Sequence, residues 1–217
     1  MLAVFDTDNP DIPMYFFVYD NITTYDANDQ KTFLLHIKTP PTIDGKTVTV
    51  NCGTGRLVLQ NVYGASTVKG IGGNDNNFVV NGYQVPTTDG SNDGYWGRIE
   101  ISPAVGSFNN SMLNVMYVTK TSSKATATAT RIKNSYVVGS IIGNTAAVFV
   151  ESSERINEQF YFTASGTGEL NYYVSGVAAG TWNVRIGSTN LNVEVTEESG
   201  LLTFTAPAGS ITLTPVN

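Results

Sequence analysis

The chain has 217 residues and a formal net charge of −6, with 14% of residues charged and 41% hydrophobic. A chain of this length buries roughly 70% of its unfolded surface, and its apolar share excludes a disordered polymer. The acidic balance repels polyanions, which argues against nucleic acid as a partner, and a single cysteine excludes any internal disulfide.

The opening stretch, MLAVFDTDNP, has no basic n-region and no apolar h-region, so it does not read as a signal peptide. No run approaches the ~18 apolar residues of a spanning helix, so no membrane span is expected. Abundant Asn, Thr, Ser and Gly with few charges suit a periplasmic or secreted bacterial β-protein whose export signal lies outside this sequence.

Residues 31–41, KTFLLHIKTPP, carry the lone histidine, His36, at the end of an apolar run. One histidine cannot form a His-rich zinc cage, which takes three or four protein ligands. A sheet histidine bonded to a backbone carbonyl is the bland reading, and a general base is the sharper one. Next, TVTVNC (47–52) alternates as a strand, with Cys52 in phase with Val48 and Val50 and therefore expected in the core. Asp44-Gly45 and Asn81-Gly82 have the composition of tight hairpin turns.

GIGGND (70–75) has Asp75 where a dinucleotide fingerprint needs glycine, and no P-loop lysine follows. DGSNDGYWGRIE (89–100) places Asp89, Ser91, Asp93, Gly94 and Glu100 at the first, third, fifth, sixth and twelfth places of a calcium loop. Short oxygen ligands, a glycine at the sharp turn and a closing carboxylate make calcium one reading; a polar hairpin loop is the other. Within it, Tyr95-Trp96 could stack on sugar rings, whose C–H faces meet aromatic π-clouds. GRIEI then starts a strand.

KATATATRI (124–132) alternates Ala with Thr and has little to bury, so it reads as an edge strand or thin layer. SERINEQ (153–159) supports one helical turn at most. Tyr172-Tyr173 lies on a strand, which sends the two side chains to opposite faces and buries one. Trp182 alternates with Val184 and Ile186 and belongs to the core. LNVEVTE (191–197) and SITLTPV (210–216) close the chain as alternating strands.

Together these elements predict an all-β fold: ten to fifteen short antiparallel strands in a sandwich of packed sheets. The chain 1–217 is expected to be one domain that subdivides near 120–135, with larger sheets in 1–120 and compact hairpins in 136–217. No G-x-S-x-G elbow exists, Cys52 and His36 form only a formal dyad with nothing to activate the thiol, and no carboxylate pair stands out among the 18 acids. No catalytic residue is expected in this chain.

Three ordered segments resemble a known family. YFFVYDNITTYDANDQKTFLLHIKTPPTIDGKTVTV (15–50), YWGRIEISPAVGSFNNSMLNVMYVT (95–119) and the closing hairpins GVAAGTWNVRIG (176–187) and VTEESGLLTFTAPAGSITLTP (195–215) are similar to the β-sandwich of heparinase II/III-like polysaccharide lyases. The resemblance implies a multi-sheet sandwich partnered by an N-terminal (α/α) toroid that carries the catalytic machinery for β-elimination on an acidic polysaccharide. It implies that His36 matches a zinc-ligand position, with the other ligands absent from this chain. The expected function is a non-catalytic sandwich that supports the toroid and shapes the glycan cleft. A free-standing carbohydrate-binding or adhesion module, using Tyr95 and Trp96, is the alternative.

Overall fold

The computed structural model describes residues 1–5, 7–73, 79–80, 82–84 and 96–216. Eighteen strands are present among them, numbered in chain order, and no helix. Six form one sheet: β1 (Leu2–Val4), β2 (Tyr15–Thr23), β4 (Thr42–Asp44), β5 (Thr47–Cys52), β6 (Gly55–Tyr63) and β11 (Asn109–Lys120), in the order β1-β2-β11-β6-β5-β4. Three form a small sheet, β3 (Phe33–Ile37), β10 (Gly97–Ser102) and β7 (Thr67–Gly72), with β10 central. β8 (Val79–Val80) and β9 (Tyr83–Gln84) make a minimal ribbon around Gly82.

The second half of the chain builds a seven-stranded sheet from β12 (Thr130–Lys133), β13 (Val137–Ile142), β14 (Thr145–Val150), β15 (Phe160–Ser175), β16 (Gly180–Ile186), β17 (Thr189–Val195) and β18 (Leu201–Pro215). Its order is β12-β13-β14-β15-β18-β16-β17. All pairings are antiparallel except β14 with β15, which run parallel; the expectation of antiparallel strands throughout is corrected there. The strands also outnumber the ten to fifteen expected, and β15 and β18 span 16 and 15 residues.

Alternation decides which face each strand buries. In β5, Val48 and Val50 point toward the three-stranded sheet and meet Ile37, Ile99 and Ile101. On the other face of the six-stranded sheet, Tyr15, Phe17, Leu113 and Val115 meet Val138, Ile142, Ala147 and Phe149 of β13 and β14. The six-stranded sheet is therefore the filling between the other two. β13 and β14 are buried at every position, because their opposite faces serve two cores, and their near-continuous apolar runs are what such a layer requires.

The seven-stranded sheet also closes on itself. The β15–β18 register jumps between Ala164↔Gly209 and Glu169↔Pro207, and Gly166 and Gly168 carry φ of 128° and 87° in the bulge. Ten residues of straight strand span ~33 Å, yet Phe162 and Tyr172 approach to 6.2 Å between ring centroids. The bend therefore folds β16, β17 and the outer halves of β15 and β18 over β13 and β14. Trp182, fully buried, fills the gap, donating Nε1–H to the Ala178 carbonyl at 2.9 Å and meeting Phe160 edge-on at 6.0 Å. Tyr172 is buried and Tyr173 turns toward the other core, as alternation predicted.

Residues 124–129 are extended but not hydrogen-bonded as a strand. Ala125, Ala127 and Ala129 face inward, and Gln60 clamps the segment by donating to the Ala127 carbonyl at 2.8 Å and accepting from the Ala129 N–H at 3.0 Å. Here the chain passes from the six-stranded to the seven-stranded sheet. Cys52 departs from expectation: it is exposed. The β5–β6 turn at Gly53 begins beside it, so the sheet ends before the alternation can bury the thiol.

Candidate functional site

The three-stranded sheet collects most of the described residues that the sequence marks for chemistry. Register places His36 of β3 opposite Arg98 of β10, which in turn faces Ile71 of β7; two residues along, Leu34, Glu100 and Lys69 align. Directly opposed residues share a face. His36, Arg98, Glu100 and Lys69 thus lie on the outward side, while Ile37, Ile99 and Ile101 point into the core.

Arg98 anchors this face. It is buried, its Nε donates to Glu100 Oε1 at 2.7 Å, and its Nη2 donates to the Val79 carbonyl of β8. The carboxylate and the carbonyl together satisfy a guanidinium that burial alone would penalise. Nothing but the alternation G-R-I-E-I hints at this pair in the sequence.

His36 is exposed on an edge strand, beside that fixed cation. Among the described residues no three His, Cys, Asp or Glu side chains converge. Among the described residues, none therefore joins His36 in a zinc site. Of the calcium-loop positions, Asp89, Ser91 and Asp93 lie outside the described residues, and Glu100 is engaged by Arg98.

Tyr95 likewise lies outside the described residues, whereas Trp96 is placed. Its backbone bridges the sheet, with N–H donating to the Ile37 carbonyl at 3.0 Å and C=O accepting from Gly73 N–H at 2.8 Å. Its indole lies half-buried along a glycine track. A β-carbon at Gly70 would stand 3.3 Å from Trp96 Cη2, and one at Gly73 3.3 Å from Nε1. The GIGG run that fails as a nucleotide fingerprint is here the bed of a tryptophan.

A second polar group sits on the six-stranded sheet. Asn61 donates to Asn114 Oδ1 at 2.9 Å and accepts from Ala65 N–H at 3.1 Å, fixing the turn at Gly64. That glycine has φ of 91°, and a β-carbon there would fall 2.0 Å from the Ser111 carbonyl oxygen. Asp20, on β2 opposite Met112, is half-buried, and loss of hydration raises its carboxyl above the usual range despite the nearby N-terminal ammonium.

With this geometry in view, residues 131–215 match the family model of the heparinase II C-terminal domain. No curated protein matches the chain. The matched stretch runs from β12 to the last residue of β18, the whole of the seven-stranded sheet but one residue. That sheet is similar to the heparinase II C-terminal domain.

Proposed function

We propose that this chain is the non-catalytic β-sandwich of a heparinase II/III-like polysaccharide lyase, supporting a helical catalytic domain and forming one wall of the cleft that receives an acidic glycan. The single observation that carries the reading is the coincidence of the matched stretch with a complete structural layer, β12–β18. The resemblances over 15–50 and 95–119 support it, since they fall on β2–β5 and on β10–β11. Export to the periplasm or beyond accords with a polymeric substrate too large to enter a cell, and no described helix is long and apolar enough to cross a membrane.

β-Elimination needs a base and a group that neutralises the uronate carboxylate. In this reading both come from the helical partner. Incubation of the chain alone with polyuronates should give no unsaturated uronate ends in ultraviolet absorbance. Joining it to a helical domain encoded upstream in the same reading frame should produce them. Product formed by the chain alone, or a frame that encodes no such domain, would overturn the reading.

A further inference from the structure

The outermost layer, formed by the folded-over halves of β15 and β18 with β16 and β17, presents an open face. Its inward residues Phe160, Phe162, Trp182 and Leu213 fill the core. By strict alternation, the residues between them point out. Register aligns Tyr161 with Thr212, Thr212 with Arg185, and Arg185 with Asn190, one straight row across all four strands. At the ~4.8 Å strand spacing this row is ~14 Å long.

The row begins at an aromatic step. Tyr161 is 57% exposed and Tyr136 37%, and their rings meet at 6.0 Å and 62°. Asn134 holds them in place by donating Nδ2–H to the Tyr161 carbonyl at 2.6 Å. The two rings buttress each other edge-on, and Tyr161 stays more than half exposed, so aromatic surface is offered to solvent. Arg185 is exposed, and no ion pair is made to it among the described residues. No carboxylate stands in the row; Glu194, further along β17, accepts from the Thr181 hydroxyl, and Glu151, whose N–H donates to the Tyr136 carbonyl, is paired with Lys133.

We infer that this row binds a carboxylated sugar chain, with a pyranose ring on Tyr161, its carboxylate on Arg185 and its hydroxyls on Thr212 and Asn190. An aromatic face takes the C–H side of a sugar, a guanidinium takes a carboxylate through two parallel N–H donors, and a flat sheet suits an extended polymer. The inference stands on this outer sheet alone and goes beyond the cleft-wall role proposed above.

Affinity electrophoresis of the full chain through gels containing polygalacturonate, with neutral dextran as control, tests it. Polygalacturonate should retard the chain. Tyr161→Ala should weaken retardation about tenfold, Tyr161→Phe should keep it, and Arg185→Gln should weaken it about tenfold and remove its salt dependence. Both positions are exposed, and near-ultraviolet circular dichroism verifies that each variant stays folded. No retardation, equal retardation in dextran, or retardation indifferent to Tyr161→Ala and Arg185→Gln overturns the inference. None of these outcomes bears on whether a helical domain upstream is activated by this chain, which separates the two proposals.

Discussion

At the scale of single residues, burial governs which groups respond to pH. Tyr172 sits inside the folded-over sheet, and loss of hydration pushes its phenol up to about 12 from an ordinary 10.0. Tyr15, between the two large sheets, is also pushed up to about 12, first by burial and then by the neighbouring Asp8 carboxylate. A phenol whose folded pKa is raised leaves stability intact below pH ~10, because both states are then protonated. Above that, the unfolded chain releases its protons first, so stability falls as pH rises toward about 12. We expect urea midpoints that are flat through neutral pH up to about 10 and decline beyond it. Phenolate absorbance of the native protein should show Tyr15 and Tyr172 ionising well above the ordinary 10.0, toward about 12. Normal titration of every tyrosine near 10 in the folded chain would contradict this.

At the scale of elements, the glycine track of β7 determines how Trp96 lies. A β-carbon at Gly70 would sit 2.9 Å from Pro41 Cγ and 3.3 Å from the indole. Gly70→Ala should therefore displace the indole and cost about 1–2 kcal/mol, within the usual range for overpacking. The measurement is Trp96 emission in a Trp182→Phe background, with urea unfolding alongside. A red shift with a lower midpoint is expected, and unchanged emission would show that the ring does not rest on the track. β13 and β10 make the general point that a strand's neighbours matter more than its propensity. Both are short and β-branched, yet β13 is buried on both faces whereas β10 keeps Glu100 half-exposed. The difference lies in what covers each strand.

At the scale of the whole molecule, the layers share strands as walls. β13 and β14 supply one face to the core inside the seven-stranded sheet and the other to the core against β2 and β11. A fragment comprising residues 130–217 would keep its own inner core but expose Val138, Ile142, Ala147 and Phe149 as an apolar patch. We expect that fragment to bind a hydrophobic dye and to self-associate, and the full chain to unfold in one transition by circular dichroism and by tryptophan emission together. Two separated transitions would show that the region near 120–135 divides independent domains. The parallel β14–β15 pair and the long bulged strands give the molecule many contacts distant in sequence, the topology that folds slowly.

How much could be read beforehand follows from the range of the forces involved. Alternation in TVTVNC, TWNVRIG and SITLTPV, and the turn at Asp44-Gly45, are local properties of the chain, and they foretold strands, a hairpin, the burial of Trp182 and the split faces of Tyr172-Tyr173. The ordered segments also resembled the family whose C-terminal domain matches residues 131–215. Cys52 was misread because its phase continues that of Val50 although the sheet stops at the turn. The partnership of Arg98 with Glu100 and Val79, the bed beneath Trp96, the sheet that doubles back at Gly166 and Gly168, and the row from Tyr161 to Asn190 arise between residues far apart in sequence. The amino-acid pattern alone determined that this protein is built of half-buried strands, because side-chain alternation is a property of each strand by itself. Only the tertiary structure decided which face of each strand meets which sheet, and therefore where charges and aromatic rings gather, because that depends on register between distant segments.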